Sequence, residues 1–411
     1  MFFQQLQQAF RHRFTEDQQS LVEKLSDFLF HLPETKVFII DGYAGTGKTG
    51  LMSALVKVLP FYSIKTILLA PTGRAAKVLS RNSQKTASTI HKHIYYSSID
   101  ANGNISLKLK NNKNTSTLYI VDEASMIGAR EQGFEAHNLL DDLLRHCLSG
   151  YGNKVIFMGD TAQLPPIGSA TSPALNQEYI ETEFVLNAQF QRLTQVVRQA
   201  LQSGILRNAS NIRWAIANGR IRLPILKTKD LNDVRIVESY DLEDTLRSEY
   251  REKGVNEVLI ITRTNKLANR INQYVRTAIL EKENQIDIGE TIMSVKNNYF
   301  WTEKAALSDF IANGDMLEIT RIFGYEEAFG LRFADVAVRF ADRAEATEIE
   351  LTVILDTLLD DRASLDEERQ NRLYEELYAF YSQDCSNKAL INLPHESTSL
   401  ARIYFTKVLY S

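Results

Sequence analysis

The residues Gly42-Tyr43-Ala44-Gly45-Thr46-Gly47-Lys48-Thr49 combine glycines, a lysine and a hydroxyl in the order G-x-x-x-x-G-K-T. Glycines at these places let the backbone curl so that its N–H groups turn toward an anion. Lys48 is then in reach of the β- and γ-phosphates of a nucleotide, and the Thr49 hydroxyl is in reach of Mg²⁺. The pattern predicts a loop that binds ATP with Mg²⁺ through Gly42, Tyr43, Ala44, Gly45, Thr46, Gly47, Lys48 and Thr49, and a glycine-rich connecting turn is the other use of such a string. Two adjacent carboxylates, Asp122-Glu123, supply the complementary chemistry. Asp122 is the expected ligand to the metal shell opposite Thr49, and Glu123 the expected general base for an attacking water. A helix cap is the alternative for a strand-end Asp. Farther on, Gly159-Asp160-Thr161-Ala162-Gln163-Leu164-Pro165-Pro166 sets a polar Gln163 before two prolines. A loop stiffened in this way transmits small displacements, so Gln163 is expected to sense the γ-phosphate or its water; a plain turn has the same composition.

These groups need elements to bring them together. Short, nearly all-apolar runs precede each of them: Val37-Phe38-Ile39-Ile40, Thr66-Ile67-Leu68-Leu69-Ala70, Leu118-Tyr119-Ile120-Val121 and Val155-Ile156-Phe157-Met158. Strands apolar on both faces require helices on both sides, so an α/β layer with a parallel sheet is predicted. Ligands of such sheets bind at the carboxyl ends of the strands. Each run does end in a polar cluster: Asp41-Gly42, Pro71-Thr72-Gly73-Arg74, Asp122-Glu123 and Gly159-Asp160.

Composition sets the outer limits. With 411 residues, 44% hydrophobic and 24% charged, the chain is long enough for two or three globular domains. No apolar run reaches the ~18 residues a bilayer crossing needs, and Met1 to Arg13 is Gln-rich and broken by charge. A cytoplasmic protein without membrane attachment is expected. Cys147 and Cys385 lack metal-ligand spacing and read as reduced thiols. A formal net charge of −4 argues against coating nucleic acid by bulk attraction, so any DNA contact must be local.

The segments Phe14-Thr15-Glu16-Asp17-Gln18, GYAGTGKT, APTGRAAKVLS (70–80), STIH (88–91), VDEAS (121–125), MGDTAQLPPIG (158–168) and LTQVVRQ (193–199) resemble, in order and style, the motifs of superfamily-one DNA helicases, most closely the RecD/Dda branch. The likeness is dense from Thr15 to Gln199 and thin to about Thr320. It implies a RecA-like ATP-binding P-loop NTPase lobe over residues 1–200. Linker helices and the start of a second RecA-like lobe follow over 201–285, a small SH3-like β-barrel insertion over 286–345, and an acidic helical, incomplete C-terminal part over 346–411. It further implies that Gln18 reads adenine, that Arg198 touches the γ-phosphate, and that Lys48, Glu123, Gln163 and Arg198 form the catalytic set. Pro71, Thr72, Arg74, Thr89 and His91 would line a track for single-stranded DNA, met from the other lobe by Thr264 and Asn265. Small hydroxyl, amide and cationic groups hold phosphates without reading sequence, as a translocating motor requires. The same branch implies 5′→3′ movement and a monomer.

Beyond Gln199 the residues say less. Val258-Leu259-Ile260-Ile261 reads as another buried strand, with Thr264 or Asn265 as strand-end ligands or as a helix cap. Segments near Asp287–Lys296, Gly314–Ile322 and Leu331–Phe340 alternate as strands. Trp301 is expected in a core rather than on DNA bases, and the acidic stretch from Leu355 to Tyr381 as a solvated face. The branch's later motifs, a Thr-Cys-His-Lys-like segment with a following Gln-Gly and a Thr-Arg-Ala-like arginine motif, do not appear before Ser411. Besides an active helicase or translocase, the sequence leaves open a nucleotide-gated DNA-binding remnant, expected of a truncated chain, and a P-loop ATPase acting on protein partners.

Overall fold

In a computed structural model the chain divides into two compact units, Met1–Ile236 and Val237–Ser411. The structure describes residues 1–99, 105–128, 138–166, 168–196, 203–220, 223–295, 311, 314–341, 348–359, 369, 372 and 407–408. Arg198, Trp301 and nearly all of the acidic stretch after Leu359 lie outside the described residues.

In the first unit the order is α1 (Phe2–Phe10), α2 (Glu16–Phe30), β1 (Thr35–Gly42), α3 (Lys48–Val58), β2 (Lys65–Ala70), α4 (Gly73–Ser83), β3 (Ala87–Thr89), α5 (Ile90–Ile94), β4 (Tyr95–Ile99), β5 (Ile105–Leu109), β6 (Thr117–Val121), α6 (Leu139–Leu148), β7 (Lys154–Gly159), α7 (Gln177–Glu183), β8 (Asn187–Leu193) and α8 (Gly204–Ala217). The four apolar runs become β1, β2, β6 and β7, central in a six-stranded parallel sheet of order β3-β2-β6-β7-β1-β8. Their residues alternate between two cores. Phe38, Ile40, Leu118, Ile120, Ile156 and Met158 pack on one face with α1, α2 and α3. Val37, Ile39, Tyr119, Val121, Val155 and Phe157 pack on the other with α5 and α6. This two-sided burial is the reason the strands carry no polar face.

Register decides where the polar clusters lie. Asp41 stands opposite Gly159 across the β1–β7 pair, and Val121 opposite Phe157 across β6–β7. The strands that precede the P-loop, the acidic pair and the Gln163 loop are therefore adjacent and end nearly level. The sequence reading did not foresee the edge strands β3 and β8 or the β4–β5 hairpin. Beta8 carries Gln189, Gln191 and Arg192 in a half-exposed edge, so it lacks the continuous apolar signal of the centre.

The second unit contains α9 (Leu242–Lys253), α10 (Asn265–Tyr274), β9 (Thr291–Met293), β10 (Met316–Ala328), β11 (Leu331–Phe340), β12 (Ile349–Ile354), α11 (Asp356–Leu359) and β13 (Lys407–Val408). Its strands form an antiparallel sheet, β12-β11-β10-β9-β13. The β10–β11 hairpin turns on Phe329 and Gly330, with φ of 56° and 68°, the two positive values that match a tight hairpin to strand twist. Two register shifts in β10 add curl; the sheet runs past the expected 286–345 insertion, since β12 lies in the part expected to be helical and its alternating Ile349, Leu351 and Val353 are buried. Val258–Ile261 differs from expectation. It joins no strand ladder among the described residues, and Leu259 and Ile261 are 69% and 87% exposed. Only Val258 and Ile260 pack against the core; without cover on its second side an apolar run stays extended and unpaired instead of becoming a buried strand.

Candidate functional site

The P-loop leaves β1 at Gly42 and enters α3 at Lys48. Gly45 and Gly47 adopt φ of 81° and 82°, the left-handed region where a side chain would be strained. At Gly42 an added Cβ would lie 2.8 Å from Lys48 Cδ, so the lysine stem lies over this glycine and the site needs it bare. Lys48 Nζ donates to the carbonyls of Gly42 and Tyr43, the latter at 3.1 Å. Burial holds its pKa below the ordinary lysine value, opposed by Asp160, Glu123, Asp122 and Asp41.

Asp122 follows β6, and its backbone N–H donates to the Leu69 carbonyl at 2.9 Å. Burial pushes its carboxyl up to about 6; the N–H of Glu123, at 2.9 Å from Oδ1, pulls the other way, the charge of Glu123 adds to the rise, and Lys48 offsets part of it. Glu123 has φ 52°, a strained conformation for a residue with a side chain. Tyr43, Ala44, Gly45, Gly47, Lys48 and Thr49 of the loop share one cleft of about 360 Å³ with Asp122, Glu123 and Gln163. One half-buried ammonium, a hydroxyl and a carboxyl group whose pKa burial raises suit a polyphosphate with a divalent metal ion. No group of three or more potential metal-ligating side chains occurs among the described residues.

Gln18 sits elsewhere than on the cleft wall. It is 1% exposed, its Oε1 accepts from Thr15 N at 3.0 Å, and its Nε2 donates to the Thr46 carbonyl at 2.8 Å. The residue both closes the capping box of α2 and clamps the P-loop. Next to it Asp17 Oδ2 accepts from Thr194 N, Thr194 Oγ1 and Gln195 N at 2.6, 2.9 and 3.0 Å. Partial burial raises the Asp17 pKa, but these three bonds outweigh it and leave the carboxyl below its usual range.

Of the residues assigned to DNA, Thr72, Thr89 and Thr264 are helix N-caps, accepting from Ala75, Lys92 and Leu267 N–H at 3.2, 3.2 and 3.1 Å. Thr89 is fully buried, Pro71 and His91 half-buried, and Arg74 and Asn265 exposed. His91 stacks obliquely on Tyr95 at 5.7 Å. Pro71, Thr72, Arg74, Thr89 and His91 belong to the first unit; Thr264 and Asn265 belong to the second.

Three charged residues that the sequence reading left without a role support the loop. Asp41 is fully buried and accepts from Thr161 N, Thr161 Oγ1 and Arg192 Nε at 3.0, 2.9 and 2.9 Å. Asp160, 1% exposed, accepts from Ala44 N at 3.1 Å and Ala162 N at 2.9 Å. Arg213 of α8 approaches Asp160 at 3.8 Å. The strand-end position of the two acids is a sequence signal; nothing in the spacing points to Arg213.

A parallel sheet with a phosphate-type loop, a strand-end acidic pair and the Gln163 loop at one edge defines a P-loop nucleotide-binding lobe. Residues 13–239 match the AAA domain family, to which the chain belongs as a superfamily-one P-loop helicase homologue of the RecD/Dda type. The ATP-dependent RecD2 DNA helicase of Deinococcus radiodurans is 27% identical over 291 residues, covering 68% of this chain and 36% of that protein. The ATP-dependent DNA helicase dda of Enterobacteria phage T4 is 28% identical over 267 residues, covering 62% of this chain and 55% of that protein. The chain thus spans about a third to a half of these two relatives. The crystal structure of Pif1 helicase from Candida albicans aligns over 83% of this chain and 78% of that one, at 17% identity and a TM-score of 0.37, a likeness too distant to add to the fold described above. No helix among the described residues is long and apolar enough to cross a membrane.

Proposed function

We propose that the chain is the ATP-hydrolysing motor of a DNA helicase, binding ATP with Mg²⁺ at the P-loop and single-stranded DNA along the strand ends. The observation that carries this reading is the shared cleft, in which the loop, Asp122, Glu123 and Gln163 come together.

Lys48 moves its ammonium from the Gly42 and Tyr43 carbonyls to the β- and γ-phosphates, exchanging neutral acceptors for charged ones. Magnesium, when bound, neutralises phosphate charge, and Thr49 and Asp122 are the residues that would hold it. Glu123 orients the attacking water and takes its proton; Gln163 bonds to the same water or to the γ-phosphate. Arg198 supplies a further cation to the terminal phosphate, a role worth about 10³–10⁵ in rate for arginines so placed. Gln18 acts on adenine by shaping the loop from behind, or directly after releasing Thr46. Pro71, Thr72, Arg74 and His91 carry the DNA backbone, with Thr89 fixing the start of α5, and Thr264 and Asn265 contribute from the second unit. By likeness to the RecD/Dda branch the movement is 5′→3′, and the protein acts as a monomer in the cytoplasm.

Steady-state ATP turnover with and without single-stranded DNA tests this reading. Turnover that DNA stimulates, and that Lys48→Ala abolishes without lowering the melting temperature, is expected. Normal turnover by Lys48→Ala would overturn the phosphate assignment. ATP-Mg binding without DNA-stimulated turnover would leave a nucleotide-gated DNA binder in place of a motor.

A further inference from the structure

Arg213 lies in α8, outside the seven quoted motif segments, yet it touches the P-loop at Tyr43 and pairs with Asp160 beside the loop. Its guanidinium carbon is 4.4 Å from the centre of the Tyr43 ring, and its Nη2 is 3.8 Å from Asp160 Oδ2. The side chain is only 17% exposed and that of Asp160 2%. The same Asp160 Oδ2 accepts from Ala44 N in the loop at 3.1 Å. A buried carboxylate is therefore fastened directly to the loop that is to receive a triphosphate.

Like charges in a poorly solvated site repel strongly, so Asp160 opposes nucleotide binding unless it has a counter-ion. Lys48 also interacts with Asp160, but its ammonium is needed by the phosphates. Among the described residues, Arg213 is the cation that forms an ion pair with Asp160, and the planar guanidinium suits a seat on an aromatic ring. We propose that Arg213 is a positioning residue for nucleotide binding: seated on Tyr43, it neutralises Asp160 so that the loop accepts a triphosphate, and it thereby makes the docking of α8 part of the ATP site. This rests on the cleft being the ATP-Mg site.

The test is a titration of the full chain with fluorescent ATP and ADP analogues in Mg²⁺, for wild type, Arg213→Ala, Arg213→Lys, Asp160→Asn and the Arg213→Ala/Asp160→Asn double variant, each checked by a circular-dichroism melt. Arg213→Ala should weaken ATP binding about tenfold, equivalent to about 1.4 kcal/mol, and ADP binding less, because the γ-phosphate charge is missing. Arg213→Lys, which keeps the charge and loses the planar stack, should fall between. With Asp160 already neutral, removing Arg213 should cost less than about threefold, a coupling that a merely structural arginine would not show. Wild-type ATP affinity in a folded Arg213→Ala protein, or losses in the double variant that simply add, would overturn the proposal. Should Arg213→Ala fail to fold, the comparison of Arg213→Lys with and without Asp160→Asn decides in the same way. A wild-type chain that binds neither nucleotide would instead sink the reading of the cleft, and this inference with it.

Discussion

Lys48, Asp122 and Glu123 illustrate how one residue's charge is set by its neighbours. Lys48 loses solvation and is kept cationic by four carboxylates, whereas Asp122 is held partly protonated near neutral pH by burial. Both shifts have the same leading cause, burial, which disfavours the charged form of each group. Thr49→Ala removes the hydroxyl proposed for Mg²⁺ while leaving the loop glycines and Lys48 in place. It is expected to raise the Mg²⁺ concentration required for half-maximal turnover by about tenfold or more, in line with the loss of a charge-assisted contact of roughly 1.5–3 kcal/mol. A magnesium titration at saturating ATP measures this, and an unchanged midpoint would remove Thr49 from the metal shell.

At the level of elements, two features outside the cleft hold the lobe in shape. Asp17 at the start of α2 gathers the Thr194 and Gln195 amides just beyond β8, so Asp17→Ala should cost roughly 0.5–1.5 kcal/mol of stability, the net range for hydrogen bonds whose donors water can reach. Urea unfolding would read it as a lower midpoint at an unchanged slope. His93 of α5 packs edge-on to Tyr119 of β6 and His146 of α6, and its Nε2 has no hydrogen-bond partner among the described residues. Burial lowers its pKa to about 4, with His146, Lys110 and Lys65 adding to the fall. Because the unfolded histidine titrates at 6.5, the unfolded state binds the extra proton first as pH falls. The stability contributed by neutral His93 is thus full above pH 6.5 and declines as pH drops from 6.5 toward about 4. Replacing His93 with Phe should flatten the melting-temperature profile across that window; a profile as steep as that of wild type would assign the acid sensitivity elsewhere.

For the whole molecule, a net charge of −4 limits how DNA can be held. In the proposed function DNA binding comes from a short track of donors, so its dependence on salt should be shallow. Each phosphate neutralised on a single strand contributes about −0.7 to the slope of log K against log salt, and a track of three or four contacts gives a slope of roughly −2 to −3. Fluorescence anisotropy of labelled oligothymidine at several salt concentrations would measure it. A slope several times steeper would overturn the short track in favour of a broader basic surface.

The central sheet and most of the cleft were legible in the sequence for one physical reason: strands buried on both faces must be continuously apolar, and the chemistry of a parallel sheet gathers at the strand ends. Val37–Ile40 with Gly42–Thr49, and Leu118–Val121 with Asp122-Glu123, therefore announce both an element and its use. Edge elements give no such signal, so β8, with polar residues Asn187, Gln189, Gln191 and Arg192, stayed hidden, and an apolar run such as Val258–Ile261 is no strand where nothing among the described residues covers its second side. Residue types and spacing determined that phosphate chemistry belongs to this chain. Only the tertiary structure decided that Gln18 grips the loop from behind, that Asp160 is fastened to Ala44 and that Arg213 stands over Tyr43, because contacts between segments far apart in the chain depend on how helices pack and leave no periodicity behind.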